Sequence, residues 1–312
     1  MKNALIKSAL PVLSALVLSA LLLSACENTS QSTAPVTINI TDAPVDEADA
    51  VVVQFSSITL KSDGNDDLTF AFNPAKSIDL LALQGLASQS LIQNQVIPAG
   101  KYNQIHLGVN AEFDNVMDSY ITVNNIDYEL HVPSGSQNGL KINTPFTVAA
   151  GSTDISVADE NAIYTIDFDL RKSIVNPNGQ PGYFLKPVLR LVQNTNTVSV
   201  SGSVDPSVLI GANCSDSVPL TGNAVYVFAG TVAPDDFDEI GVEPITTSLI
   251  KFDAGNGTYN YEIGYLAAGN FTLGFTCAAD LDDEDDNANV IFDVVDNVTI
   301  AAGENLTHPI DQ

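Results

Sequence analysis

The stretch "YTIDFDL", residues 164–170, places Tyr164, Ile166, Phe168 and Leu170 on one side of an extended chain and Asp167 and Asp169 on the other. A period of two with one apolar side is the pattern of a half-buried β-strand. The pattern recurs outward from this stretch. "VTINI" at 36–40 aligns Val36, Ile38 and Ile40, and "YNQIHLGV" at 102–109 aligns Ile105, Leu107 and Val109. "AVVVQFSSITL" at 50–60 is long and β-branched. Turn residues in "SDGND" at 62–66, "PAG" at 98–100, "VNN" at 123–125 and "NPNG" at 176–179 separate the runs. One segment breaks the rhythm. "SIDLLALQGLASQSLIQN" at 77–94 spaces Leu80, Leu81, Leu83, Leu86, Leu91 and Ile92 as one or two short helices would, capped by Ser77 or Asp79.

"QNTNT" at 193–197 is a polar break, after which short strand runs restart. They are "VSVSGSV" at 198–204, "NAVYVFAG" at 223–230, "GTYNYEI" at 257–263, "NFTLGFTC" at 270–277 and "NVIFDVV" at 289–295. Short strands at regular spacing with Gly and Asn turns predict a mostly β chain. The expected architecture is two β-sandwich-type domains, residues 36–193 and 198–312, the first with the short helices.

The N-terminus reads as an address. Lys2 and Lys7 precede an apolar run at 8–23 that is shorter than the roughly 20 residues of a membrane span. Its length and flanks are those of a secretory signal. The run ends in Leu23-Ser24-Ala25-Cys26, which resembles the lipobox of bacterial lipoproteins. The resemblance implies a cleaved signal peptide at 1–25 and a lipid on Cys26, so that the membrane is a partner through that lipid. Glu27, where inner-membrane retention signals carry Asp, implies the outer membrane of a Gram-negative envelope. Residues 27–35, "ENTSQSTAP", read as a flexible tether spanning about 15–18 Å.

The chain is strongly acidic. Asp and Glu number 38 against 11 Lys and Arg, a net charge of −27. Nucleic acid is excluded as a partner, because phosphate binding needs clustered cations. Cations and neutral polymers fit better, and a solvated acidic surface is the plain alternative. Besides Cys26 the chain holds Cys214 and Cys277. An exported compartment permits oxidation, so the pair is expected as a disulfide, two buried thiols being the other reading.

Both halves resemble known families. "TDAPVDEADAVVVQFSSITL", "DLLAL", "IPAGKYNQIHL", "VPSGSQNGLKI", "DFDLRKSI" and "YFLKPVLRLV" occur in the order of a bacterial lipoprotein family, domain-of-unknown-function 4382. "VSGSV", "PLTGNAVYVFAG", "GTYNYEIGYLAAGNFTLGFTC" and "VTIAAGENLTHPID" resemble the carboxypeptidase-regulatory or transthyretin-like sandwich, a carbohydrate-binding-like fold. These motifs imply architecture rather than an activity.

No catalytic signature is legible: there is no G-x-S-x-G, H-E-x-x-H or C-x-x-C. By strand alternation His106 and His131 point away from the apolar side. Three sets of residues remain as candidates. Asp167 and Asp169 share a face at about 6.5–7 Å, a spacing that suits glycoside hydrolysis or a cation, with an ion pair to Arg171 or Lys172 as the plain reading. Tyr259, Tyr261 and Tyr265 cluster in one hairpin and offer either a sugar platform or core. From Asp282, "DLDDEDDNAN" at 280–289 partly mimics a Ca²⁺ loop through Asp282, Glu284, Asp286 and Asp293, or forms a solvated acidic turn. The sequence thus reads as a non-catalytic cell-envelope lipoprotein that binds a glycan or an envelope protein and needs no cofactor. The alternatives are a polysaccharide-acting enzyme using strand carboxylates and a Ca²⁺-stabilised surface scaffold.

Overall fold

The computed structural model describes residues 32–43, 45, 48–64, 66–133, 139–150, 162–176, 182–186, 188–211, 213–214, 222–237, 240–282 and 290–311. Cys26 and most of the tether lie outside them, as do Glu284 and Asp286. The N-terminal module contains β1 (Thr33–Ala43), β2 (Ala50–Ser62), β3 (Leu68–Asp79), β4 (Gln89–Pro98), β5 (Gly100–Asn110), β6 (Tyr120–Val123) and β7 (Ile126–His131). It continues with β8 (Leu140–Ile142), β9 (Phe146–Val148), β10 (Ile163–Asp169), β11 (Ile174–Val175), β12 (Tyr183–Leu185) and β13 (Leu189–Gln193). The C-terminal module contains β14 (Thr197–Val204), β15 (Ala224–Ala229), β16 (Thr246–Leu249), β17 (Lys251–Asp253) and β18 (Thr258–Ala267). It ends with β19 (Gly269–Thr276), β20 (Phe292–Ile300) and β21 (Asn305–Thr307).

The chain is mostly β, as its alternation predicts, and its sheets pack in sandwich-like pairs. In the N-terminal module a 4-stranded sheet of order β13-β10-β1-β4 faces a 9-stranded sheet built around β2 and β5. β1 pairs in parallel with β10 and antiparallel with β4. Val36, Ile38 and Ile40 of β1 join Ile166 and Phe168 of β10 in one core with Phe55, Ile58, Leu107 and Val109 of the larger sheet. Phe55 and Phe168 meet edge to face across the two sheets, ring centroids 6.4 Å apart.

The C-terminal module stacks β17-β18-β14-β21 on β16-β15-β19-β20. Val198, Val200, Val225, Val227, Tyr261, Ile263, Leu273 and Phe275 fill the space between them. β15 is buried on both faces along most of its length, because Ala224, Tyr226 and Phe228 join a second cluster on its far side. A near-continuous apolar run is what such a strand requires. Cys214 and Cys277 form a disulfide, their Cα atoms 5.2 Å apart.

The helical reading of 77–94 holds for one short stretch with its Asp79 cap and fails for the residues that follow. Only Leu80–Leu83 turn, as a single 3-10 turn whose cap is Asp79, and residues 89–98 form β4. The cause is a register shift between β1 and β4. It buries the successive residues Leu91 and Ile92 together, and that pairing imitates helical spacing. The one α-helix among the described residues lies elsewhere, at Leu170–Ser173 directly after β10.

The disulfide joins positions 63 residues apart. In the chain-entropy picture a loop of that size stabilises by about 4 kcal/mol. Chemical denaturation of oxidised and reduced protein should differ by that order, and equal midpoints would show that the bond does not constrain the unfolded chain.

Candidate functional site

The candidate acidic pair sits where the two modules meet. Asp169 closes β10, and its carboxylate accepts the backbone N–H of Lys172 at 3.3 Å, capping the four-residue helix Leu170–Ser173. That turn carries Arg171 and Lys172 onto the C-terminal module. Lys172 Nζ donates to the Pro244 carbonyl at 2.8 Å and lies 3.6 Å from Asp169 and 3.9 Å from Glu243. It also stands 4.4 Å from the centroid of the Phe237 ring. Arg171 Nη1 donates to the Ala279 carbonyl, its guanidinium 5.6 Å from the centroid of Tyr226.

A second strut runs in the other direction. The β14–β18 register shifts so that Gly264 and Tyr265 bulge out of β18, with Tyr265 at φ +55°. The Tyr265 hydroxyl donates to the Leu86 carbonyl at 3.0 Å, and Glu262 Oε2 accepts the Leu86 N–H at 3.3 Å. Gly264 is needed for the approach, since a Cβ there would lie 2.8 Å from the carbonyl oxygen of Gly85.

Asp167 is 7% exposed rather than solvent-facing. Its partner is Arg190, its register neighbour on β13: Nε donates to Oδ2 at 3.2 Å and Nη2 donates to the same oxygen. Burial pushes the carboxyls of Asp167 and Asp169 upward, while Arg190 pulls Asp167 back and Lys172 pulls Asp169 back. Both carboxylates of the pair are therefore held in structural contacts.

Asp42 was not among the sequence candidates. It is 4% exposed, and neither of its oxygens accepts a well-formed hydrogen bond. Burial raises its pKa well above the usual carboxylate value, and Asp167 and Asp169 add to the effect; the Leu170 amide acts against it. The signal was available in the sequence. Asp42 continues the Val36-Ile38-Ile40 series, so alternation alone puts a charge on the apolar side of β1.

The other candidates do not gather at this site. Tyr261 is core, its hydroxyl donating to the His308 carbonyl at 2.7 Å. Tyr259 is half-buried and pairs with exposed Phe252, ring centroids 4.9 Å apart. Asp282 is buried as an anchor, accepting the Tyr226 hydroxyl at 2.6 Å and the Phe237 N–H at 2.9 Å. Asp293 lies on β20 and accepts from Asn213 at 2.6 Å. Its carboxylate approaches Cys214 and Cys277, but their sulfurs are joined to each other and offer no thiolate to a metal. His106 bonds to Gln104 at 3.1 Å, and His131 packs between the Phe113 and Phe184 rings.

Replacing Arg190 with Met should strand Asp167 as a buried charge and cost about 3 kcal/mol. Joining it to Asp167→Leu should recover most of that loss, because an apolar pair often substitutes for a buried ion pair. Urea midpoints of the single and double variants provide the comparison. Lys172→Ala should raise hydrogen exchange at residues 241–246, and unchanged protection there would remove Lys172 as a strut.

Residues 33–187 match the family model DUF4382, a domain of unknown function. No curated protein matches the chain. Among solved structures, a leucine-rich repeat protein from Bacteroides thetaiotaomicron aligns at 9% identity and TM-score 0.20 over 89% of this chain. The chain spans only 26% of that protein. The minor pilin GBS52 of Streptococcus agalactiae aligns at 13% identity and TM-score 0.18, over 88% of this chain and 94% of that one. A cell adhesion protein from Bacteroides eggerthii gives 11% and 0.19, over 89% and 98%. Scores this low assign neither fold nor role. The part of the chain with a family description is therefore its N-terminal module, which is similar to DUF4382 over residues 33–187.

Proposed function

We propose that this chain is a lipid-anchored, non-catalytic module of the bacterial cell envelope that binds a glycan or an envelope protein. The observation that carries the non-catalytic reading is the use of Asp167 and Asp169 in the seam. One is paired with Arg190 and the other caps a helix, so neither is free to act on a substrate. The anchor rests on the lipobox-like Leu23-Ser24-Ala25-Cys26 behind an apolar leader. Among the described residues no helix is long and apolar enough to cross a membrane. A lipid on Cys26 would then hold the protein at the outer membrane, with Glu27 following it. In this reading the C-terminal module is a carbohydrate-binding-like sandwich. Of its tyrosine hairpin, Tyr259 is the member that reaches the surface beside another ring, Phe252. An aromatic pair of this kind offers a sugar an apolar face to lie against.

Two experiments separate the parts of this reading. Palmitate labelling and membrane fractionation of the full chain should show a labelled, sedimenting protein, and Cys26→Ser should abolish both. An unlabelled wild type would remove the anchor. A polysaccharide panel should give saturable binding that falls in Phe252→Ala and Tyr259→Ala. Binding unaffected by both would move the ligand away from the hairpin, and a silent panel would leave an envelope protein as the partner.

A further inference from the structure

The outer backbone groups of a sheet's last strand have no partner in the sheet, and such an edge pairs with another chain unless something blunts it. Among the described residues three edge strands are nine or more residues long: β3, β4 and β20. β3 is interrupted by Pro74 and carries Lys76, both of which spoil a template. β4 contains Asn94 at φ +48° and stops at Pro98. β20 has none of these devices. It holds no Gly, Pro or Lys, and past the extra residue at Asp293 its register with β19 is unbroken from Val294 to Ile300. Asp293, Val295, Asn297 and Thr299 are exposed along it. β20 pairs with β19 on one side, and among the described residues no strand pairs with the other.

A groove adjoins this edge. Val208, Gly211 and Asp311 line it together with residues 293–296 of β20, and its volume is about 550 Å³. Its apolar part is Val208 and Val294, both packed on the core between the two sheets. Its polar part is three carboxylates. Asp296 meets His308 at 3.0 Å, and Asp293 accepts from the neutral amide of Asn213. Asp311 has no ion-pair partner among the described residues.

Charge decides which occupant fits. A second copy of this chain would bring the same carboxylates and a net charge of −27 to the same edge, and facing like charges oppose binding. A glycan has no row of N–H and C=O groups to pair with a strand. An extended peptide has one, and its Lys or Arg side chains answer Asp293, Asp296 and Asp311. We infer that β20 accepts an extended, basic segment of a partner protein as a fifth strand of the sheet β16-β15-β19-β20. In strand addition main-chain hydrogen bonds supply affinity and side-chain pockets supply selectivity. The groove provides the second, through an apolar contact at Val208 and Val294 with carboxylates around it. The inference rests on the envelope-protein half of the reading above and is independent of the lipid anchor and of the tyrosine hairpin.

The test uses residues 32–312, which form one compact unit. The probe is an end-blocked peptide of nine residues, the length of β20, built from Lys, Val and Thr with Lys and Val on both of its faces. A second peptide carries Glu in place of every Lys. Calorimetry should show saturable one-to-one binding of the Lys peptide, weakened severalfold by added salt, and no binding of the Glu peptide. Hydrogen exchange at residues 293–299 should slow on binding, which attraction between charges alone would not produce. Val295→Lys puts a cation on the edge and should abolish binding with an unchanged circular dichroism spectrum. Asp296→Asn with Asp311→Asn should weaken it severalfold. The proposal is overturned if the Lys peptide does not bind, if the two peptides bind alike, if Val295→Lys binds as the parent does, or if exchange along β20 is unchanged. Should Val295→Lys fail to fold, an unchanged affinity in the Asp296/Asp311 double variant is enough to overturn it. A concentration-dependent dimer in sedimentation that Val295→Lys dissolves would overturn it too and give the edge to a second copy. None of these outcomes bears on palmitate labelling or the polysaccharide panel, so a failure here leaves the anchor and a glycan ligand standing.

Discussion

The Asp169 carboxylate holds the Lys172 amide, and that cap decides where the chain goes after β10. Without a helical turn at Leu170–Ser173 the two cations that follow Asp169 would alternate across an extended strand. The turn sends both to the C-terminal module, where they meet the carbonyls of Ala279 and Pro244 and the rings of Tyr226 and Phe237. Those rings belong to the far side of β15 and the loop beside it. The second cluster of the C-terminal module is thereby covered by a turn of the N-terminal one. Asp282 ties the same region together from below, through Tyr226 and the Phe237 amide.

The covering explains why β10 is buried on both faces despite its alternation. The sequence shows Tyr164, Ile166 and Phe168 facing a core, and they do. It shows Asp167 and Asp169 facing away, and they do; what lies there is Arg190, Lys172 and residues of the C-terminal module rather than bulk water. A period-two pattern reports which side is apolar. It does not report what covers the polar side, because that depends on a contact with residues far along the chain.

The limits of the sequence reading elsewhere have similar local causes. β1, β5 and β10 were legible because each carries a run of alternating apolar residues: Val36-Ile38-Ile40, Ile105-Leu107-Val109 and Tyr164-Ile166-Phe168. β4 was not, because the shifted register against β1 buries Leu91 and Ile92 side by side. The tyrosine hairpin divided three ways for a comparable reason. Tyr259 and Tyr261 share a face, yet one lies at its rim and the other at its centre, and the bulge at Gly264 turns Tyr265 toward Leu86. The burial of Asp42 is legible too, since its position on an apolar face follows from counting by twos from Val36.

The parallel ladder of β1 and β10 also sets a timetable. Among the described residues β1 is made before the other strands, and an antiparallel neighbour, β4, follows soon after it. Its other neighbour appears only with residues 163–169, after most of the larger sheet has been synthesised. Parallel pairing across so long a connection is slow, because loop closure precedes any reward from the contact. Until then one edge of β1 stays open, a template for pairing with another chain. A nascent chain of this design spends its early life with an exposed edge, and its safety in that interval rests on how quickly β10 arrives.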